Sequence, residues 1–382
     1  MADRNRISWI APEPVRRAKS AVAVALSLVI LLGGMGFVSW KGYGLYMDWV
    51  QQDDYIGTGD DPIQIIVNDG DWWAKVADNL VANDVIRDPS LFEREALEIS
   101  DGPTPGTWNL FTHLPAKTAA EMLTDSTNQV KIVLTIPEGR RLTDIEAILI
   151  KDVGITQDQI DQAMAANQAD PDGNLFGLDP AAGGNPEGYL FPDTYFLFPP
   201  YKTDAVSVFK MMAARFNQIA IDMDLDTNAA NLGYTSQQVI VVASIIEAEV
   251  NNDADRAKVA RAIYNRLSNG MPLQVESAFR YGRLITDGTP YDDPITKASQ
   301  NDASLPYNYY INPGLPPTPI DSPGKDAINA ALNPTDGDWL YWVTVNLDTG
   351  ETKFATTEAE FNELVEELNQ WCSDNGNPTG CQ

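Results

Sequence analysis

Residues 235–250, TSQQVIVVASIIEAEV, decide which fold the middle of this chain can adopt. Thr235 and Gln238 have the spacing of a capping box, which predicts that a helix begins there. The run that follows, VIVVASII (239–246), is apolar except at Ser244, so no face of this helix is suited to water. The sequence therefore predicts a helix at the centre of a globular domain.

Glu247 stands at the end of this apolar run, and Glu249 follows two residues later. Two residues on a helix correspond to a rotation of about 200°, so the two carboxylates face nearly opposite directions. Glu247 shares its side with an apolar stripe and Ser244, where a carboxyl is poorly solvated and suited to donating a proton. The alternative is a helix-end glutamate that meets solvent or pairs with Arg256 or Arg261.

The next segments contain side chains of the kind that bind sugars. A second helix is predicted over 254–270, and MPLQVESAFRYG (271–282) is predicted to be extended. The loop LPYNYYINPGLPPTPIDSPG (305–324) is rich in tyrosine, asparagine and proline. Aromatic rings stack on pyranose faces and amides bridge sugar hydroxyls, but rigid loops without a ligand have the same composition. Both interpretations of the loop stay open.

Upstream, periodicity predicts a small β-α-α-β module within residues 62–125. A β-branched strand at 63–67 precedes helices at 72–83 and 89–99, and TWNLFTHL (107–114) returns as a strand. A larger domain over 126–368 is predicted to combine helices with a mixed sheet. The predicted fold class is therefore α+β, with a small module followed by a larger domain.

Composition excludes several classes of function. The 382 residues contain 26 basic and 54 acidic side chains, for a net charge of −28, and such a chain repels nucleic acid. Its one histidine, His113, has no neighbouring ligand residues with the spacing of a zinc site. The Asp-rich loop at 170–179 supplies oxygens without the spacing of an EF-hand. We expect no metal and no cofactor, and chemistry based on carboxylates, hydroxyls and amides.

The N-terminal region predicts a membrane anchor. Residues 21–40, AVAVALSLVILLGGMGFVSW, carry no charge and are long enough to span about 30 Å of hydrocarbon. Basic residues precede this run and acidic residues follow it, so the positive-inside rule predicts a cytoplasmic N-terminus at 1–19, a transmembrane helix at 20–40 and a linker at 41–61. The remainder of the chain is then extracytoplasmic. A cleaved signal peptide is the alternative, but the run ends in a poor cleavage site.

The C-terminal tail, residues 369–382, contains both cysteines of the chain. Cys372 and Cys381 close the polar loop CSDNGNPTGC, and a disulfide there is compatible with an oxidising compartment. Two free surface thiols are the alternative.

Several blocks, in order along the chain, resemble the MltG (YceG-like) endolytic murein transglycosylases. They are EGYLFPDTY (187–195), ASIIEAEV (243–250), VARAIYNRLSNGMPLQ (259–274), Tyr281-Gly282, PYNYYINPGLPPTPIDSPG (306–324) and AALNP (330–334). The chain departs from the family pattern at Ala248, where the family commonly has lysine.

The resemblance implies both an architecture and an activity. The module at 62–125 is expected to be LysM-like, and 126–368 to be the catalytic domain with Glu247 as the catalytic residue. The implied reaction cleaves the MurNAc–GlcNAc β-1,4 bond within peptidoglycan glycan strands and leaves a 1,6-anhydro-MurNAc end. The implied partners are penicillin-binding proteins or other cell-wall synthases at a bacterial cell membrane. We expect the substrate-binding residues to include Ser244, Gln274, Glu276, Tyr281, Tyr307, Asn308 and Tyr189.

A lytic reaction fits a site with one carboxyl, because the same group protonates the leaving oxygen and then takes the proton of the sugar's 6-hydroxyl. One alternative is a hydrolytic muramidase, in which Glu276, Glu249 or Asp253 would activate water about 5–9.5 Å from Glu247. A second alternative is a non-catalytic scaffold that binds peptidoglycan and recruits synthases.

Overall fold

The chain forms two units, residues 1–129 and residues 130–382. They are described by a computed structural model that covers residues 36–37, 39–42, 54–200, 203–250, 252–376 and 381. Both units combine helices with short antiparallel strand pairs, so the predicted mixed α+β character is confirmed.

The first unit contains the predicted β-α-α-β order. Strand β1 (Pro62–Val67) is followed by α1 (Trp73–Ala82), α2 (Pro89–Ile99) and β2 (Gly106–Phe111), after which α3 (Ala116–Thr124) packs against α2. The strands β1 and β2 pair antiparallel, with Ile65 opposite Trp108. The LysM-like character of this module stays a prediction.

The core of the first unit contains buried aliphatic side chains and the rings of Trp73, Phe92 and Trp108. The rings of Trp73 and Phe92 meet edge to face with centroids 5.8 Å apart, and both side chains are fully buried. Helix α2 begins where it does because Asp88 accepts hydrogen bonds from the N–H groups of Ser90 and Leu91, with proline at the first helical position. The module therefore has its own hydrophobic centre and its own helix-start signal.

The second unit is mainly helical. Its elements are β3 (Ile132–Thr135), α4 (Leu142–Ile148), α5 (Gln157–Ala169), β4 (Thr194–Leu197), α6 (Ala205–Asp222), α7 (Leu225–Leu232), α8 (Ser236–Glu249), α9 (Asp253–Ser268), α10 (Glu276–Asp287), α11 (Lys297–Gln300), α12 (Lys325–Leu332), β5 (Tyr341–Asn346), β6 (Glu351–Ala355) and α13 (Glu358–Asp374).

Two sequence-based expectations are wrong in this unit. The described strands form separate two-stranded antiparallel sheets, β3 with β4 and β5 with β6, instead of one mixed sheet. The segment 271–282 is helical from Glu276 onward and not extended throughout. The reason lies in its pattern, because Ala278, Tyr281 and Gly282 recur at helical spacing on one buried face.

Helix α8 lies at the centre of the second unit, as the sequence predicts. Thr235 and Gln238 form the capping box in both directions, and every residue from Val239 to Ile246 is buried. Helices α12, α9 and α10 pack against it. Ser244, the polar residue within the run 239–246, donates to the carbonyl of Val241 at 2.8 Å and accepts the N–H of Ile320 at 3.1 Å. This serine therefore connects α8 to the loop that precedes α12.

The transmembrane part of the predicted fold class is wrong for the described chain. None of the described helices is long and apolar enough to cross a membrane. The longest of them, α6, carries Lys210, Arg215 and Asp222 among its 18 residues, and such charges are costly in hydrocarbon. Of the predicted span 20–40, only residues 36, 37, 39 and 40 are described; the rest of the span and residues 1–19 lie outside the described residues.

Replacing Ser244 with alanine should lower the free energy of unfolding by about 1–3 kcal/mol, because the buried N–H of Ile320 loses its acceptor. Denaturant unfolding of the variant checks this. The matched control is Ser304→Ala, which also removes a hydrogen-bonded hydroxyl, here bonded to Asp302 on the surface, and should change stability by less than about 0.5 kcal/mol. Equal effects of the two substitutions would contradict the assigned role of Ser244.

Candidate active site

Glu247 lies in the last turn of α8, and its side chain is only 8% exposed. Its Oε2 accepts two hydrogen bonds of 3.0 Å, one from Nη1 of Arg256 and one from the N–H of Gly324. The sequence offered either a poorly solvated carboxyl or one that pairs with Arg256, and the structure combines the two. Glu247 is a nearly buried carboxylate with one oxygen fixed by a guanidinium and a backbone amide.

Arg256 reaches this carboxylate from the first turn of α9. Its side chain is 9% exposed, and its Nε donates to Oδ1 of Asp253 at 3.1 Å. The Asp253 side chain is 75% exposed, so water weakens that second pair much more than the pair with Glu247. Arg256 is thus fixed from both ends of its guanidinium.

The loop 320–324 is clamped between α8 and the turn before α4. The N–H of Gly139 donates to the carbonyl of Ser322, and the N–H of Ser322 donates to the carbonyl of Arg140, both at 2.9 Å. Together with the Ser244–Ile320 bond, this bridge places the N–H of Gly324 against Glu247.

Gly139 permits the close approach of this turn to Glu247. Its φ of +69° lies in the left-handed region, which favours glycine. A Cβ added there would lie 3.5 Å from Cγ of Glu247 and 4.0 Å from Oδ2 of Asp321. Both carboxyl side chains therefore border the same small space beside the turn.

Further carboxyl groups lie around Glu247. Burial, and then the charge of Glu247, raises the pKa of Asp321 well above its usual range. Partial burial raises the pKa of Glu138, and the charge of Glu247 raises it further. The site therefore groups carboxyls whose pKa values are raised, an arrangement that is frequent at functional sites.

Glu187, in the segment before β4, forms hydrogen bonds with both α4 and α10. Its carboxyl accepts hydrogen bonds from the N–H of Leu142, at 3.1 Å to Oε1, and from the hydroxyl of Tyr281, at 3.1 Å to Oε2. Burial raises its pKa to about 7, although these two hydrogen bonds act in the opposite direction. Glu187 fixes the start of α4 to α10.

Several residues expected to bind substrate are buried within the domain. Tyr281 donates to Glu187, and the hydroxyl of Tyr307 pairs with that of Thr318 at 2.7 Å. Asn308 donates to the backbone carbonyls of Gln300 and Asp302, and the hydroxyl of Ser244 forms hydrogen bonds with backbone groups. Tyr189 packs edge to face against Phe216. These contacts hold the scaffold of the site together.

Two others, Gln274 and Glu276, are exposed. Gln274 has a φ of +53°, which is uncommon for a residue with a side chain and costs backbone strain. Glu276 is 49% exposed and pairs with Arg280 at 2.6 Å. Glu249, by contrast, accepts a 2.7 Å hydrogen bond from Ser277 of α10. The two glutamates of α8 therefore have different partners on different helices.

Sequence reasoning missed Asp321, Glu138 and the joining role of Glu187. Asp321 lies inside the proline-rich block at 306–324, which drew attention for its tyrosines and asparagines. Glu138 lies in a Pro-Glu-Gly turn, and Glu187 opens the block EGYLFPDTY, so both stood in noticeable motifs. Asp321 and Glu138 lie 74 and 109 residues from Glu247 along the chain, and Glu187 lies 94 residues from Tyr281 of α10, separations that periodicity cannot detect.

Cys372 and Cys381 are bonded to each other near the end of α13. Within the described residues, no group of three or more His, Cys, Asp or Glu side chains is placed to hold a metal ion. The carboxyl groups of the site are able to give and take protons.

The fold and the site together define an α+β protein built around one ion-paired, nearly buried glutamate. A profile of the YceG-like family matches residues 65–367, which is most of the chain. The chain therefore belongs to the YceG-like family, and the resemblance inferred from its sequence blocks is confirmed.

Curated relatives of this chain are named for an enzymatic activity. A Bacillus subtilis protein named endolytic murein transglycosylase is 29% identical over 315 residues, covering 80% of this chain and 84% of the relative. A Streptococcus pneumoniae protein of the same name is 33% identical over 183 residues, covering 47% of this chain and 32% of that longer protein. A solved structure of a YceG-like protein from Listeria monocytogenes covers 80% of this chain and all of its own, with a TM-score of 0.51 and 24% identity, and shows a shared fold.

The pKa of Glu187 sets a pH dependence of stability. In the unfolded chain it titrates near 4.5 and in the folded protein near 7, so stability is lost as pH rises from 4.5 to 7. Glu187→Gln removes this loss, so its unfolding free energy relative to wild type should rise by about 3 kcal/mol across that window.

Denaturant unfolding of Glu187→Gln and wild type at several pH values tests this expectation. Glu276→Gln, on an exposed side chain, is the control and should change stability by less than about 1 kcal/mol at any pH. A constant difference between Glu187→Gln and wild type across the window would mean that folding leaves the protonation of Glu187 unchanged.

Proposed function

We propose that this protein is an endolytic lytic transglycosylase of peptidoglycan, a lyase that cleaves the MurNAc–GlcNAc β-1,4 bond within glycan strands and leaves 1,6-anhydro-MurNAc ends. Membership of the YceG-like family and two relatives named endolytic murein transglycosylases support the reaction class. The geometry of Glu247 is the observation that supports assigning the chemistry to this one residue.

The carboxyl of Glu247 is oriented before any substrate binds. Both of its hydrogen bonds, from Arg256 and from the N–H of Gly324, go to Oε2. We therefore assign Oε1 to the substrate. A carboxyl fixed at one oxygen loses little freedom when the other oxygen meets the glycosidic bond, which lowers the cost of reaching the transition state.

Glu247 acts first as an acid and then as a base. It donates a proton to the glycosidic oxygen, and the bond between that oxygen and C1 of MurNAc breaks. The 6-hydroxyl oxygen of the same MurNAc bonds to C1, and its proton passes to the Glu247 carboxylate. Arg256 and the N–H of Gly324 stabilise the negative charge that Glu247 carries between the two transfers.

The surroundings of Glu247 favour this lytic reaction over hydrolysis. A muramidase needs a second, ionised carboxylate that touches the attacking water. Glu249 is bonded to Ser277, Glu276 to Arg280, and Asp253 to Arg256. Each candidate base is thus occupied by another partner. The neighbouring Asp321 is buried, and its raised pKa favours the protonated form, which cannot take a proton from water.

The place of action follows from the proposed substrate. Peptidoglycan is assembled outside the cytoplasm, where a disulfide such as that between Cys372 and Cys381 persists. An enzyme that cuts within nascent strands would end their elongation, so we propose cell-wall synthases, such as glycan-polymerising penicillin-binding proteins, as its partners.

Replacing Glu247 with glutamine should lower the rate of glycan cleavage by about 100-fold or more, because the amide cannot give or take the proton. The test incubates the full chain with uncrosslinked glycan strands and identifies the products by mass spectrometry. The control is Asp253→Asn, which removes the other carboxylate bonded to Arg256 and should keep activity within about threefold of wild type.

The products distinguish the candidate functions. Anhydro-MurNAc ends that disappear in Glu247→Gln support the lyase. Ordinary reducing ends would mean that water is the acceptor, and loss of activity in Asp253→Asn would identify its base. Strand binding without any cleavage, in wild type and variants alike, would favour a non-catalytic scaffold.

A further inference from the structure

Asp321 is a buried acid with no role in the reaction described so far. It is 4% exposed, and its Oδ1 has no hydrogen-bond partner among the described residues. An ionised carboxylate left in this way is costly, because a buried charge needs a partner or a proton. Its Oδ2 borders the same space beside Gly139 as Cγ of Glu247.

The charges around Asp321 do not supply a partner. The groups that act on it are Glu247 of α8, Glu187 before β4, Arg141 at the start of α4, Arg256 of α9 and Tyr291 after α10. Both guanidiniums are paired elsewhere: Arg141 with Asp144 at 2.7 Å, and Arg256 with Glu247 and Asp253. Acidic groups therefore outnumber the positive charges available to them.

A single-carboxyl lytic reaction begins with a proton on Glu247. The resting contacts of Glu247, an ion pair and an amide N–H, stabilise its charged form instead. The proton must therefore come from a group nearby, and an uncharged carboxyl beside Glu247 would supply it without exchange with solvent.

We propose that Asp321 and Glu247 hold one proton between them, and that Asp321 is a positioning residue that stores this proton for Glu247. The inference rests on the lyase function proposed above. At rest the proton is on Asp321, where burial favours the neutral acid. It passes to Glu247 for donation to the leaving oxygen, the 6-hydroxyl returns a proton to Glu247, and that proton returns to Asp321. No proton is gained or lost over the cycle.

Two interacting carboxyls titrate as a pair, so the proton is retained to higher pH than either group alone would keep it. In Asp321→Asn, Glu247 has lost the carboxyl that stores its proton, and Arg256 remains as its charged partner. The decline of kcat/KM at rising pH should then begin about one pH unit lower than in wild type. Activity should fall about tenfold at pH 8 and stay within about threefold of wild type at pH 5.

The experiment measures kcat/KM of the full chain and of Asp321→Asn on glycan strands between pH 5 and 9. Arg256→Gln should have the opposite effect, because removing its positive charge should move the decline of kcat/KM to higher pH. A purely structural Asp321 would reduce activity equally at every pH, and that result would overturn the proposal. If Asp321→Asn does not fold, Asp321→Ser carries the same test with a smaller uncharged side chain.

A second measurement separates this proposal from the proposed function, because it needs no activity. The raised pKa of Asp321 means that folding stability is lost as pH rises above about 3.8, the unfolded value. Asp321→Asn should not show this loss. In a Glu247→Gln background the loss should end at lower pH, since the neighbouring charge is gone.

The two measurements together distinguish a failure of the proton pair from a failure of the lyase function. If wild type does not cleave glycan but Glu247→Gln changes the stability profile as expected, the proton pair stands and the lyase function fails. If wild type is an active lyase and neither profile changes, the proton store is refuted and the function stands.

Discussion

Burial of residues 239–246 of α8 is the constraint on which the rest of the structure depends. A stretch of helix that is apolar on every side must be surrounded, and α12, α9, α7 and α10 pack around it. Its last turn then delivers a carboxylate, Glu247, to the boundary of the core. The polar groups that complete the site, Arg256 and the N–H of Gly324, come from elements packed on the same helix or joined to it. Core packing and site geometry thus have one cause.

The second consequence of this burial is a shortage of positive charge. Glu247, Asp321 and Glu187 lie in poorly solvated positions, whereas the nearby guanidiniums are shared with other carboxylates. Burial of these acids raises the pKa of Asp321 and of Glu187. A site that retains protons near neutral pH is suited to acid–base chemistry without a metal.

Much of the fold could be predicted from local pattern. The capping box at Thr235 and the β-α-α-β order of the first unit both follow from signals within a few residues. The extended prediction for 271–282 failed because a short stretch with mixed polarity fits either period, and packing against α8 decides. The transmembrane prediction failed on the described helices. Glu247 was noticed as an acid at the end of an almost wholly apolar run, and its catalytic role was predicted from the family resemblance.

The sequence by itself determined that α8 is buried, that a glutamate ends it, and that the chain resembles the YceG-like family, since each depends on residues adjacent along the chain. Only the tertiary structure decided which charges face that glutamate. Arg256 lies nine residues away and Gly324 seventy-seven, and Asp321 approaches through a loop fixed by Ser244 and by the turn at Gly139. Electrostatic interaction depends on distance in space and on exclusion of water, and neither quantity is encoded in local pattern.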